Sequence, residues 1–204
     1  MRRLFLPLAI AFGMLAATAP AISFAQSASA APNNMLGGML GDLWTTVLET
    51  PTPQNPFTGG SPCVFLGDTL APFGPLSSAT SCTVERGTKI FVTAFSTECS
   101  TFEGNGTTET QLRACARAAD QGITTHTVAV DGQSVPVSEV ETQLLKIHLP
   151  KDNIFGLTGA DRNGLSVGHG WITLLDPLSP GTHTIHIHLA GTVNADNTTT
   201  IIVL

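Results

Sequence analysis

Basic residues are scarce in this chain of 204 residues: nine Lys and Arg stand against fifteen Asp and Glu, a formal net charge of −6. Without a basic cluster such a chain repels nucleic acid and anionic membrane surfaces, which argues against both as partners. Charged residues of either sign make up only 12% of the sequence, while Thr and Val are abundant and Gly and Pro punctuate it, a composition that leans to strands. The four cysteines form no C-x-x-C pair, which removes the usual spacing of a Cys-rich metal site. Gly-rich phosphate loops, nucleotide-binding patterns, internal repeats and low-complexity tracts are all missing. No second long apolar run follows the first thirty residues, so no membrane span is expected.

What is present begins with a leader. Arg2 and Arg3 precede an apolar run over 4–19, interrupted at Pro7 and Pro20, and Ala28-Ser29-Ala30 offers a small-residue cleavage site. Residues 1–30 therefore read as a secretory signal peptide, with a cut after Ala25 as the other option. No cysteine at the site would support a lipid anchor. The expected location is extracellular or periplasmic. Removal of the leader leaves seven basic and fifteen acidic residues, a charge of −8, on a chain of single-domain size.

The remainder divides into an N-terminal helix and Pro-rich loop over 31–60 and a β-rich domain over 61–204. Met35, Leu36, Met39, Leu40, Leu43, Trp44, Val47 and Leu48 recur at helical spacing after Asn33-Asn34, and Pro51 and Pro53 stop the pattern. Glycines at 37, 38 and 41 weaken its first half. Short strands are expected over 63–66, 82–85, 89–95, 124–130, 134–137, 142–148, 170–175, 182–189 and 198–203, with turns at Asp131-Gly132 and Ser179-Pro180-Gly181. Together these predict an all-β fold: a two-sheet antiparallel β-sandwich, immunoglobulin-like or jelly-roll-like, carrying the N-terminal helix and one short capped helix over 108–119. The final strand is expected to tie the C-terminal residues into a sheet, leaving no tail for a wall-sorting signal.

Four cysteines in an exported chain suggest disulfides, with three pairings possible. Thr108-Glu109-Thr110-Gln111 is a capping box, after which Leu112, Cys115, Ala116 and Ala119 share one helical face. Cys115 then points toward Cys99, in the loop expected after the strand over 89–95. The favoured set is Cys63–Cys82 with Cys99–Cys115.

The segment from 167 to 189 carries the most chemistry. His183, Ile185, Ile187 and Leu189 alternate with Thr182, Thr184, His186 and His188, a period-two strand with one apolar face. If the strand containing Ile172 and Leu174 folds back on it as a hairpin, with Ile172 opposite Ile185, then Trp171 faces His186 and His169 faces His188. Three imidazoles could then offer nitrogens to one Zn²⁺ with a position left for water. His169, His186 and His188 are thus the candidate metal ligands, with Trp171 and His186 as a possible ligand face. His183 on the apolar side reads as a core residue, and His126 and His148 stand alone. Gly164-Leu165-Ser166-Val167-Gly168 matches G-x-S-x-G, with Asp176 and His183 following. Its context is a strand rather than a strand-to-helix elbow. Asp161-Arg162-Asn163-Gly164 and the segment 194–197 read as turns before calcium loops. Asn105 and Asn197 lie in sequon-like triplets that matter only in a glycosylating host.

With these segments placed, the chain resembles a family of secreted bacterial proteins to which no activity is assigned. The likeness runs from Trp44 to about Val203. It rests on Trp44 followed by Asn55-Pro56 and Gly59, on Cys63, on Cys82-Thr-Val with Gly87, on Cys99, and on Val130-Asp131-Gly132. It closes with Gly170-Trp171 leading into Leu178, Pro180-Gly181 and His183-Thr-Ile185-His186. The resemblance implies a signal peptide, a β-sandwich and disulfides but no chemistry. His169 and His188 depart from it, since Asp and a small or apolar residue are usual there. The function expected is a secreted, non-catalytic β-sandwich module that binds a ligand, glycan or protein partner or serves a structural role, without a resident cofactor. The alternative is a metal-dependent enzyme using the three histidines.

Overall fold

The computed structural model describes residues 33–74 and 80–204. The expected signal peptide lies outside the described residues. Helix α1 (Asn33–Leu48) leads into two 3-10 turns, then strands β1 (Cys63–Leu66), β2 (Thr69–Pro72), β3 (Thr80–Val84) and β4 (Lys89–Ser100). Helix α2 (Glu109–Asp120) follows, then β5 (Ile123–Val130), β6 (Gln133–Val135), β7 (Ser138–Glu141), β8 (Leu145–His148), β9 (Asn163–Leu175), β10 (Gly181–Gly191) and β11 (Ala195–Val203).

The strands make a two-sheet sandwich. The first sheet runs β1-β2-β4-β9-β7, with β8 also paired to β9; the second runs β3-β11-β10-β5-β6. Most ladders are antiparallel, but β2 pairs β4 and β11 pairs β3 in parallel, so both sheets are mixed rather than purely antiparallel. The parallel pairs arise because β2 and β3, though close in sequence, join different sheets. A strand of four or five residues can pair in either direction at little cost.

The expected hairpin between β9 and β10 does not form. β9 lies between β4 and β7, with Trp171 opposite Phe95 and Glu139, while β10 lies between β11 and β5, with His186 opposite Thr198 and Ala129. The linker through Pro177 and Pro180 crosses from one sheet to the other and buries Leu178 in the inter-sheet core. β9 is covered on both faces, so its run of buried residues needs a layer on each side. The second sheet supplies one layer, through Val128, Val130, Ile185 and Ile201 packed against Ile90 and Val92. Helix α1 supplies the other, setting Leu36, Leu40, Leu43 and Val47 against Phe91, Ile172 and Val140.

Two of the helix glycines permit that second contact. A Cβ at Gly37 would stand 2.4 Å from the Glu141 carbonyl oxygen, and one at Gly41 3.1 Å from Leu145, whereas Gly38 faces open space. Both disulfides are present with the expected partners. Cys63–Cys82 joins β1 of the first sheet to β3 of the second, and Cys99–Cys115 ties α2 to β4. Among the described residues no helix is long and apolar enough to cross a membrane.

Candidate functional site

The histidines divide between two places. His186 and His188 are partly exposed on the outward face of β10, where both approach the same Asp196 oxygen at 3.1 Å. His169 is 2% exposed and belongs to β9 in the other sheet. The three do not form a trihistidine centre, because the register that would gather them required β9 and β10 to pair. For the same reason Trp171 and His186 share no ligand face. Ser166, Asp176 and His183 are likewise not brought together: Ser166 is buried within β9 and donates to Glu98, while His183 bonds Asp131. Asn163 donates to the Ala160 carbonyl and Asn194 to the Gly191 carbonyl, each a bond back across three residues.

What the fold does gather is a buried polar cluster at the end of α2. The capping box starts the helix, with the Thr108 hydroxyl accepting from the Gln111 N–H and the Gln111 side chain accepting from the Thr108 N–H. The Cys99–Cys115 bridge and two arginines fix its position: Arg113 bonds Glu109, Glu141 and the Thr142 carbonyl, and Arg117 bonds Glu141. Burial works against the Glu141 carboxylate, but the bonds and charge of Arg117, joined by Arg113, outweigh it and hold the group below the usual range. So fixed, α2 delivers Asp120, its last residue, between the sheets.

Asp120 accepts on both oxygens. His126 Nε2–H of β5 donates to Oδ1 at 2.8 Å, and Trp171 Nε1–H of β9 donates to Oδ2 at 2.6 Å. The two rings stack, with centroids 4.4 Å apart and planes 12° from parallel. His169, two residues before Trp171 on the same strand face, donates through Nε2–H to Glu139 of β7 at 3.0 Å. A carboxylate can only accept, which assigns that proton to Nε2. The other nitrogen, Nδ1, has no hydrogen-bond partner and stands 3.9 Å from Asp120 Oδ2. One donor atom from each of Asp120, Glu139 and His169 lies within 4.8 Å of the other two. Sequence reading found His169 and Trp171 but not Asp120, His126 or Glu139. The usable signal was the pairing of a helix-ending acid with His126 six residues on.

Glu98, His183 and Asp131 also titrate away from their ordinary values. Burial pushes the Glu98 carboxyl up to about 8, against the Ser166 hydroxyl that favours its ionised form and with the neighbouring Glu103 adding to the rise. His183 donates from Nδ1 to Asp131 at 2.7 Å and from Nε2 to the Ser179 carbonyl at 2.8 Å. Both partners accept only, so the ring is the doubly protonated imidazolium. Burial alone would lower its pKa; the Asp131 carboxylate and the Ser179 carbonyl outweigh that and raise it, and Asp131 is lowered in turn despite its own desolvation.

A separate cleft of about 250 Å³ opens where residues of both sheets meet, walled by Phe57, Phe73, Phe95 and Ile187 and edged by Thr93 and Thr199. Phe57 is 41% exposed there and packs edge-on to Phe73, with Trp44 behind both rings.

No family model matches the chain, and no curated protein does. Among solved structures, the solution structure of amebosin has 13% sequence identity to it, covering 67% of this chain and 96% of that one, at a TM-score of 0.25. A likeness at that score carries no argument about fold or role.

Proposed function

We propose that the protein is a secreted β-sandwich module that binds a small amphipathic ligand of the glycan class without transforming it. The observation that carries this is the cleft between the sheets. Its half-exposed Phe57 ring, backed by Phe73 and Trp44, offers an apolar platform that soluble domains otherwise cover. The hydroxyl-bearing residues Thr93, Ser96 and Thr199 also line the cleft. A sugar ring has the matching pattern, an apolar face of C–H groups with hydroxyls at its edge. The cleft, slightly smaller than a typical drug-sized pocket, suits one or two such rings.

Export fits the same reading. Two disulfides persist only under oxidising conditions, and Cys63–Cys82 staples the first sheet to the second, so the cleft walls stay fixed outside the cell. The preceding leader-like segment and the resemblance to secreted proteins point the same way. A glycan array probed with the mature protein tests the proposal. Retention of a defined glycan subset, lost in Phe57→Ala and kept in His186→Ala, is the expected result. Retention of none, or retention that ignores Phe57, would overturn it.

A further inference from the structure

A second site lies in the polar cluster at the end of α2. We propose that Asp120 and His169, oriented by Glu139, bind one divalent transition-metal cation of the zinc or manganese class. Three features carry this. The first is the imidazole itself: with Nε2–H committed to Glu139, the lone pair of Nδ1 lies in the protein interior without a partner, on a side chain only 3% exposed. Buried polar atoms are nearly always paired, so one without a protein partner on a ring held this firmly needs a reason.

The second is spacing. Nδ1 and Asp120 Oδ2 are 3.9 Å apart, a separation that two metal–ligand bonds of about 2.1 Å each can span. In the neutral ring the Nδ1 lone pair facing a carboxylate oxygen is repulsive, and a cation between them reverses the sign. The carboxylate–imidazole arrangement through Glu139 is the one that fixes tautomer and ring direction in metal sites.

The third is charge. Asp120 ends α2, where the helix dipole presents its negative pole and disfavours a carboxylate. Trp171 and His126 donate to it, but among the described residues no Lys or Arg nitrogen comes within ion-pair distance of Asp120 or Glu139. Arg113 and Arg117, the nearest arginines on α2, are engaged by Glu109 and Glu141. A depression of about 380 Å³ bordered by Asn33, Asn34, Arg117 and Glu139 reaches His169 from solvent, which gives an ion a way in. One imidazole nitrogen with carboxylate oxygen suits zinc or manganese better than calcium or magnesium, which take oxygen alone.

The test uses the mature, disulfide-intact protein stripped with chelator, then titrated with Zn²⁺ and separately with Mn²⁺ by calorimetry and thermal unfolding. One ion per chain with a raised Tm is expected for at least one of the two, since an ion bound only by the folded state stabilises it. Glu139 is 57% exposed, so Glu139→Gln should fold and weaken binding roughly 10–100-fold. Asp120→Asn and His169→Gln should abolish the binding where they fold, and the Glu139 variant decides if they do not. A double His186→Ala, His188→Ala variant should bind as well as the parent. Failure of both ions to bind stoichiometrically would overturn the proposal. So would binding that survives Glu139→Gln unchanged or disappears with the surface histidines.

Discussion

At the scale of single residues, three groups couple protonation to folding, Glu98 and His183 in one direction and Asp131 in the other. Glu98 has an ordinary carboxyl pKa of 4.5 and a folded value of about 8, so folding takes up a proton. Its contribution is fully present below pH ~4.5 and is lost as pH rises through about 8. Tm measured across that window should fall with rising pH, and Glu98→Gln should flatten the fall; an unchanged slope would mean that Glu98 is ionised in the fold. His183 and Asp131 form the complementary pair. A raised histidine stabilises below its unfolded pKa near 6.5, a lowered aspartate above its own near 3.8, so their joint contribution is complete between those values. NMR titration of the His183 ring should give a midpoint above 6.5 that falls in Asp131→Asn, because only the Ser179 carbonyl then opposes burial. A midpoint insensitive to Asp131 would refute the imidazolium assignment.

At the scale of elements, local signals were legible and long-range ones were not. The capping box at Thr108–Gln111 and the Asp131-Gly132 turn depend on residues within four positions of each other. Both appear as read, the turn with positive φ at its two central residues. Of the two disulfides, only Cys99–Cys115 had a local argument, the helix face that carries Cys115. The β9–β10 hairpin did not appear as read, because an alternating pattern says which face of a strand is apolar and nothing about which sheet receives it. β2 escaped notice because Thr69–Pro72 is four residues long and ends in proline. Asp120, Glu139 and His169 meet across separations of 19 to 49 residues, which no periodicity reports. The glycines of α1 carried the opposite lesson. Gly37→Ala should destabilise by about 1–3 kcal/mol, since the helix must back away from the Glu141 carbonyl. Gly38→Ala should stabilise by roughly 0.5–1 kcal/mol through propensity alone. Chemical denaturation of the two variants distinguishes a packing role from a weak helix; equal effects would contradict the close approach.

At the scale of the whole molecule, the sandwich is an arrangement of three layers tied at two points. Helix α1 covers one face of the first sheet, the second sheet covers the other, and the disulfides tie β1 to β3 and β4 to α2. Replacing Cys63 and Cys82 together by Ser should cost about 3 kcal/mol in the chain-entropy picture, read as a lower denaturation midpoint. It should also loosen the cleft, because that bridge is the covalent link between its walls. The cleft and the polar cluster meet at Phe95, which lines the first and lies 6.3 Å from the His126 ring of the second. The direct measurement is a ¹H–¹⁵N shift map of the mature protein titrated with the glycans that the array retains. Shifts concentrated at Phe57, Phe73, Thr93, Phe95, Ile187 and Thr199 are the result expected. Shifts confined to the His186–His188 face, or no retained glycan to titrate, would contradict the account.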